Sequence, residues 1–206
     1  MPTCTYKSLC NHYSANQNLI NTLWQEIEKH YSNSKRHYHN LSHVEYMVEK
    51  AEQFKNQIED YNTLLFSIFY HDIIYKVTRK DNELKSALLA QNRMTELGVP
   101  VEKIKKCFQQ IVATQHHETA DDNGTQYLLD IDMAILGEDP AIYKNYTQKV
   151  RKEYGIYPDL IYKPGRKKVL QNFLKQERIF QTKEFYERCE KQARENIKNE
   201  IMELSG

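Results

Sequence analysis

Apolar residues recur at helical spacing along most of the chain. The first clear stripe is Leu19, Leu23, Ile27 and Tyr31, which predicts a helix over about Asn16 to Tyr31. A polar, basic stretch, SNSKRHYHN, follows, and a second helix starts near Asn40 or Ser42. Either residue can cap it, and Ser42 with Glu45 forms a capping box. Its stripe runs Val44, Met47, Val48, Ala51, Phe54 and Ile58. Leu64 to Tyr75, LLFSIFYHDIIY, is apolar almost throughout, so periodicity alone leaves it between helix and buried strand. Its neighbours are helical and no second strand candidate could pair with it, so helix is the expectation.

Further helices are predicted over about Asn82 to Leu97, stopped by Gly98 and Pro100, and over Val101 to His116. The acidic stretch ETADDNGT reads as a surface loop, and a short helix over Tyr127 to Leu136 carries Asp130 and Asp132. Asp139-Pro140 starts another helix. The closing helix, about Lys183 to Leu204, aligns Phe185, Cys189, Ala193, Ile197 and Ile201. The expectation is an all-α, single-domain protein over residues 16–206, preceded by a tail over residues 1–15.

Composition agrees with this picture. With only 6 glycines and 5 prolines, there are too few turn residues for a sandwich or barrel. A formal net charge of +1 provides no whole-molecule attraction to nucleic acid or anionic lipid. The basic run KPGRKK, Lys163 to Lys168, reads as a helix-entry turn with a solvated face, although Arg166 beside Gly165 could meet a phosphate. No segment has the apolar length of a membrane span, and the amino terminus lacks a signal-peptide core. Cys4, Cys10, Cys107 and Cys189 form no C-x-x-C pair, and the Cys4, Cys10, His12 group fits no zinc module. A reducing cytoplasm is the expected compartment.

Chemistry concentrates in the histidines. His37, His39 and His43 sit together, His71 adjoins Asp72, His116 adjoins His117, and Asp130-x-Asp132 follows. A lone buried histidine is usually hydrogen-bonded to a carbonyl, and a lone aspartate after a helix is usually a cap. His71-Asp72, however, interrupts the most apolar segment, where both residues are costly unless paired or bound to metal. Taken together on successive helices, the clusters predict a metal site of imidazole and carboxylate ligands without thiolate, which argues against a structural zinc.

The order His43, His71-Asp72, later Asp resembles the HD superfamily of metal-dependent phosphohydrolases. The likeness is carried by R-H-Y-H-N-L-S-H-V (Arg36 to Val44), F-Y-H-D-I-I-Y (Phe69 to Tyr75) and D-N-E-L-K-S-A (Asp81 to Ala87). It continues with A-T-Q-H-H (Ala113 to His117), D-I-D-M-A-I-L-G (Asp130 to Gly137), R-K-E-Y (Arg151 to Tyr154) and A-R-E-N (Ala193 to Asn196). It implies an all-α HD-domain fold whose central helices hold a divalent ion (Mn, Mg, Fe, Co, Ni or Zn, and room for a second) through His43, His71, Asp72 and Asp132. Asp132 is chosen over Asp130. The reaction implied is hydrolysis of a small phosphorylated substrate, nucleotide-like, with Asp72, His117 and Glu83 as catalytic groups. His116 or His117 would hold a second ion, orient substrate or protonate the leaving group. Glu83 would take the place of a glutamate that some relatives carry near Tyr75. Arg36, His39 and Lys80 would hold substrate, with Lys35 and Arg79 as further phosphate candidates. A di-iron oxygenase and a catalytically silent, metal-stabilised binding protein are the alternatives. Membrane partners are not expected, nucleic acid is disfavoured, and a homo-oligomer is compatible.

Overall fold

The computed structural model describes residues 2–205. Among them are ten α-helices, one short 3-10 helix and no strand, as the helical stripes predict. By its internal contacts the chain divides after Leu129 into two units.

The first unit holds α1 (Pro2–Asn11), α2 (Gln17–Tyr31), α3 (Leu41–Gln53), α4 (Tyr61–Tyr70), α5 (Asn82–Glu96), α6 (Val101–Ala113) and the start of α7 (Asn123–Met133). Its centre is α4, buried at every position from Thr63 to Tyr70 and packed against α1, α3, α5 and α6. Asp60 starts α4 by accepting from both the N–H and the hydroxyl of Thr63. The apolar run therefore is helical, but it stops at Tyr70, with His71 at the carboxyl cap. Beyond it, the Asn82 side chain pairs with both backbone groups of Lys76, and Ser86 with those of Ile74. These bonds satisfy a chain that has left the helix, so the His-Asp doublet lies on a helix end.

Residues 2–11, expected as part of a tail, form α1 instead. Tyr6, Leu9 and Cys10 are buried, and the Tyr6 hydroxyl lies 2.7 Å from that of Tyr70. The Tyr6 ring packs edge-on to Phe69, 5.0 Å between centroids. At α3 the cap is Asn40, which accepts from the Ser42 N–H, so Ser42 lies inside the helix and is not its cap. The acidic stretch expected as loop contains the start of α7. Asp122 accepts from the N–H and hydroxyl of Thr125 and pairs with Lys106.

The second unit comprises the end of α7, a 3-10 helix (Ala134–Gly137), α8 (Pro140–Glu153), α9 (Asp159–Lys175) and α10 (Lys183–Glu203). Asp139 caps α8 through the Ala141 N–H, as the Asp-Pro pair predicts. The 3-10 helix lies so close to α10 that a Cβ on Gly137 would meet the Cys189 Cβ at 2.5 Å. Asn196 holds that approach by donating to the Leu136 and Glu138 carbonyls. The KPGRKK run is neither a turn nor wholly solvated, because it lies inside α9. Arg166 is drawn in against Glu200 in a two-pronged ion pair at 2.8 and 3.1 Å, so it is no phosphate contact.

Candidate metal centre

Two helix ends bring the histidines together. His43 occupies the first turn of α3 and His71 the end of α4, and they are 3% and 1% exposed. His71 Nδ1 lies 2.9 Å from the Ile68 carbonyl, an acceptor in the last turn of α4. A neutral imidazole that donates there through Nδ1 carries no proton on Nε2. That bare nitrogen faces His43 Nε2 at 3.3 Å. Two donors about 2.1 Å from one ion at a tetrahedral angle would stand about 3.4 Å apart, so the spacing fits a shared ion.

Asp132 is the carboxylate of the group. It sits on α7, whose first two turns belong to the first unit, three residues beyond the division. One ligand atom each from His43, His71 and Asp132 lie within 4.8 Å of one another. Asp72, predicted as a fourth ligand, adjoins this trio. Its Oδ2 stands 3.4 Å from His71 Nε2 and 3.9 Å from His39 Nε2. Burial opposes its charge, but where His71, His39 and His43 carry a second proton they outweigh that and hold its carboxyl well below the usual range; with His71 neutral that share of the hold is gone.

Asp130 is turned elsewhere, because residues two apart on a helix lie about 200° apart. It accepts from the backbone N–H groups of Gln181 and Thr182 and from the Thr182 hydroxyl, at 2.8, 2.7 and 2.6 Å. Burial pushes its carboxyl up to about 6 despite these three bonds. Its place is at the start of α10, where an acceptor meets both the local donors and the helix dipole. Asp130→Ala should cost about 2–3 kcal/mol by stranding buried donors. Urea unfolding would measure this, and a loss under about half a kcal/mol would remove that role.

Arg36, predicted to grip phosphate, does something different. It is 9% exposed, and its guanidinium donates to the carbonyls of Asp72 at 2.7 Å, Ile73 at 2.8 Å and His39 at 3.1 Å. It also lies over the Tyr31 ring, 4.9 Å from the centroid. With three of its five N–H donors on backbone carbonyls, Arg36 ties the doublet's turn to the His39 segment. His39 itself stacks on Tyr75 at 4.3 Å and meets His43 edge-on at 5.8 Å. His39, expected to hold substrate, thus has a packing role.

Glu83 is half-buried on α5. Burial raises its pKa and Asp72 adds to the shift, while its own backbone N–H, His116 and His71 act against it. Its carboxyl therefore shares the field of the doublet. His116 is exposed and His117 half-buried, in a turn where His117 has φ of 50°. This left-handed step turns the chain out of α6, which ends at Ala113 and not at His116. Neither histidine belongs to the His43–His71–Asp132 group. Lys80, Lys35 and Arg79 are exposed, and Lys80 is held by its carbonyl, which accepts from Gln115 at 2.9 Å. The roles of Asn82 and Ser86 were not anticipated from the sequence, although both lie in the D-N-E-L-K-S-A stretch at a spacing of four. Compared with models of known protein families, with curated proteins and with solved structures, the chain matches none.

Proposed function

We propose that the chain is a metal-dependent phosphohydrolase of the HD type, acting on a small, nucleotide-like phosphoester. The observation that carries this reading is the Ile68 carbonyl's hold on His71 Nδ1, which leaves Nε2 bare opposite His43 Nε2 at 3.3 Å. A buried histidine pair with a carboxylate in reach is a set of hard and borderline donors suited to a divalent ion. His43, His71 and Asp132 would hold the ion, with Asp72 beside them. An ion bound there supplies a Lewis acid and lowers the pKa of the attacking water.

The chain's own groups do the rest. Asp72, whose carboxylate stands beside His71 Nε2 at 3.4 Å and His39 Nε2 at 3.9 Å, is an acceptor that can orient a water or hold a proton donor. Glu83, whose pKa burial and Asp72 raise, is the group on α5 that could pass a proton to a leaving oxygen. The order of the motifs, from Arg36 to Asn196, supports the HD assignment and the choice of phosphoesters. Phosphate release from a panel of nucleotides and sugar phosphates, with manganese, magnesium, cobalt or zinc added, tests it. Turnover is expected in at least one pairing and should fall at least a hundredfold in Asp72→Ala. No release with any pairing from metal-loaded protein, or undiminished release by the variant, would reject the assignment.

A further inference from the structure

The turn between α8 and α9 and the first turn of α9 carry an unusual surface. Leu160 is 87% exposed, Ile156 67% and Ile161 59%. Single exposed leucines are ordinary, but three large aliphatic side chains within six residues form a patch. The turn is not loose. Arg151 donates to the carbonyls of Tyr154 at 3.2 Å and Tyr157 at 3.0 Å, pairs with Asp159 at 2.6 Å, and lies over the Tyr162 ring. Four contacts from one side chain hold the backbone that displays the aliphatic residues.

Helix α9 continues the same surface. Tyr162, Arg166 and Leu170, four residues apart, turn inward. Leu160, Pro164 and Lys168, also four apart and two positions out of phase, turn to solvent on the opposite side. Lys152 is exposed before the turn, and Lys163 and Lys167 are half-exposed within the helix. The one acid at the tip, Asp159, is engaged by Arg151, and Glu153 is buried. The surface is thus an aliphatic tip bordered by cations.

We infer that this tip, Ile156, Leu160 and Ile161 with Lys152, Lys163 and Lys168, docks the protein on an anionic lipid surface. Exposed aliphatic side chains at a helix start enter the boundary between headgroups and acyl chains, and lysines around them meet lipid phosphate and carboxylate. A second copy of the chain fits less well. A stable dimer uses about 20–30 residues a side, and a two-fold contact centred on the tip would set lysines against their equals. The contact is peripheral, because no described helix is long and apolar enough to cross a membrane.

Co-sedimentation of the full chain with vesicles tests this, comparing pure phosphatidylcholine with a mixture holding about one-third phosphatidylserine. Binding should be about tenfold stronger to the anionic vesicles and should weaken severalfold as salt rises from about 0.1 to 0.5 M. Leu160→Asp should lower it at least about tenfold, and Lys168→Glu severalfold. Both positions are exposed, so unchanged melting curves will show that neither variant acts through unfolding. Absence of sedimentation with anionic vesicles, or equal sedimentation of Leu160→Asp, overturns the inference. So does a dimer seen by light scattering that Leu160→Asp dissociates while vesicle binding stays at background.

Discussion

His43→Ala should weaken binding of a divalent ion at least about a hundredfold, equivalent to roughly 2.7 kcal/mol. Removing one imidazole from the trio leaves His71 and Asp132, a pair with far less hold on an ion than three convergent donors. The effect has a second reading through stability. An ion that binds only the folded chain raises its stability by about 2.7 kcal/mol at a hundred times its dissociation constant. Addition of manganese or zinc should therefore raise the melting temperature of the parent protein, and a chelator should reverse the rise. In His43→Ala the same addition should leave the melting temperature almost unmoved. Calorimetric titration of both proteins checks the affinity directly. Equal affinities would remove His43 from the ligand set, whatever happens to phosphate release.

Arg36→Met should cost about 2–3 kcal/mol of stability, the upper range for stranding buried hydrogen-bond partners of a charged group. Three carbonyls, those of His39, Asp72 and Ile73, lose their donor together. Arg36→Lys should recover little. One ammonium has three donors around a point and cannot span acceptors laid out along a planar fork. Urea midpoints compare the three proteins, and a loss below about 1 kcal/mol for the methionine variant would show the clamp to be incidental. Because the clamp fixes the chain between Asp72 and His39, ion affinity should drop as well, by about ten- to a hundredfold.

Legibility in the sequence followed the chemistry of each stripe. Helices α2 and α3 bury mainly apolar residues at spacings of three and four, while α6 buries Ile104 and Ile111 and α10 buries Phe185, Ala193 and Ile197 at helical spacings that are visible without a structure. The first helix escapes because its core positions are Tyr6, Leu9 and Cys10, of which only one is aliphatic. Helix α9 hides for two reasons. Pro164 and Gly165 read as punctuation, and its inward stripe includes Arg166, whose pairing with Glu200 cannot be foreseen from local pattern.

The candidate site was legible to a similar degree. An ordered set of histidines and aspartates stands out in an apolar chain because burial of such groups needs a reason. Of Asp130 and Asp132, helical geometry says that the two must face apart, but it does not say which faces the histidines. That depended on the Gln181–Thr182 backbone, which offers donors to Asp130 from more than fifty residues away. Arg36 was the least readable of all. The guanidinium fork fits a phosphate and a set of backbone carbonyls equally well, and residue identity does not distinguish them.

Carbonyl-bound arginines recur: Arg194 donates to the carbonyls of Leu174, Gln176 and Glu177, much as Arg36 does beside the doublet. This alters the meaning of a common chemical probe. Dicarbonyl reagents that inactivate phosphate-handling enzymes are usually taken to block a substrate contact. Here the reagent reaches Arg36 only when the turn behind it has come away, since its guanidinium is covered and three of its N–H groups hold backbone carbonyls. The rate of Arg36 modification would therefore time the opening of that turn, in the way that slow exchange of a buried amide times local unfolding. Ions or substrates that slowed it would do so by keeping the loop closed, without ever touching the arginine.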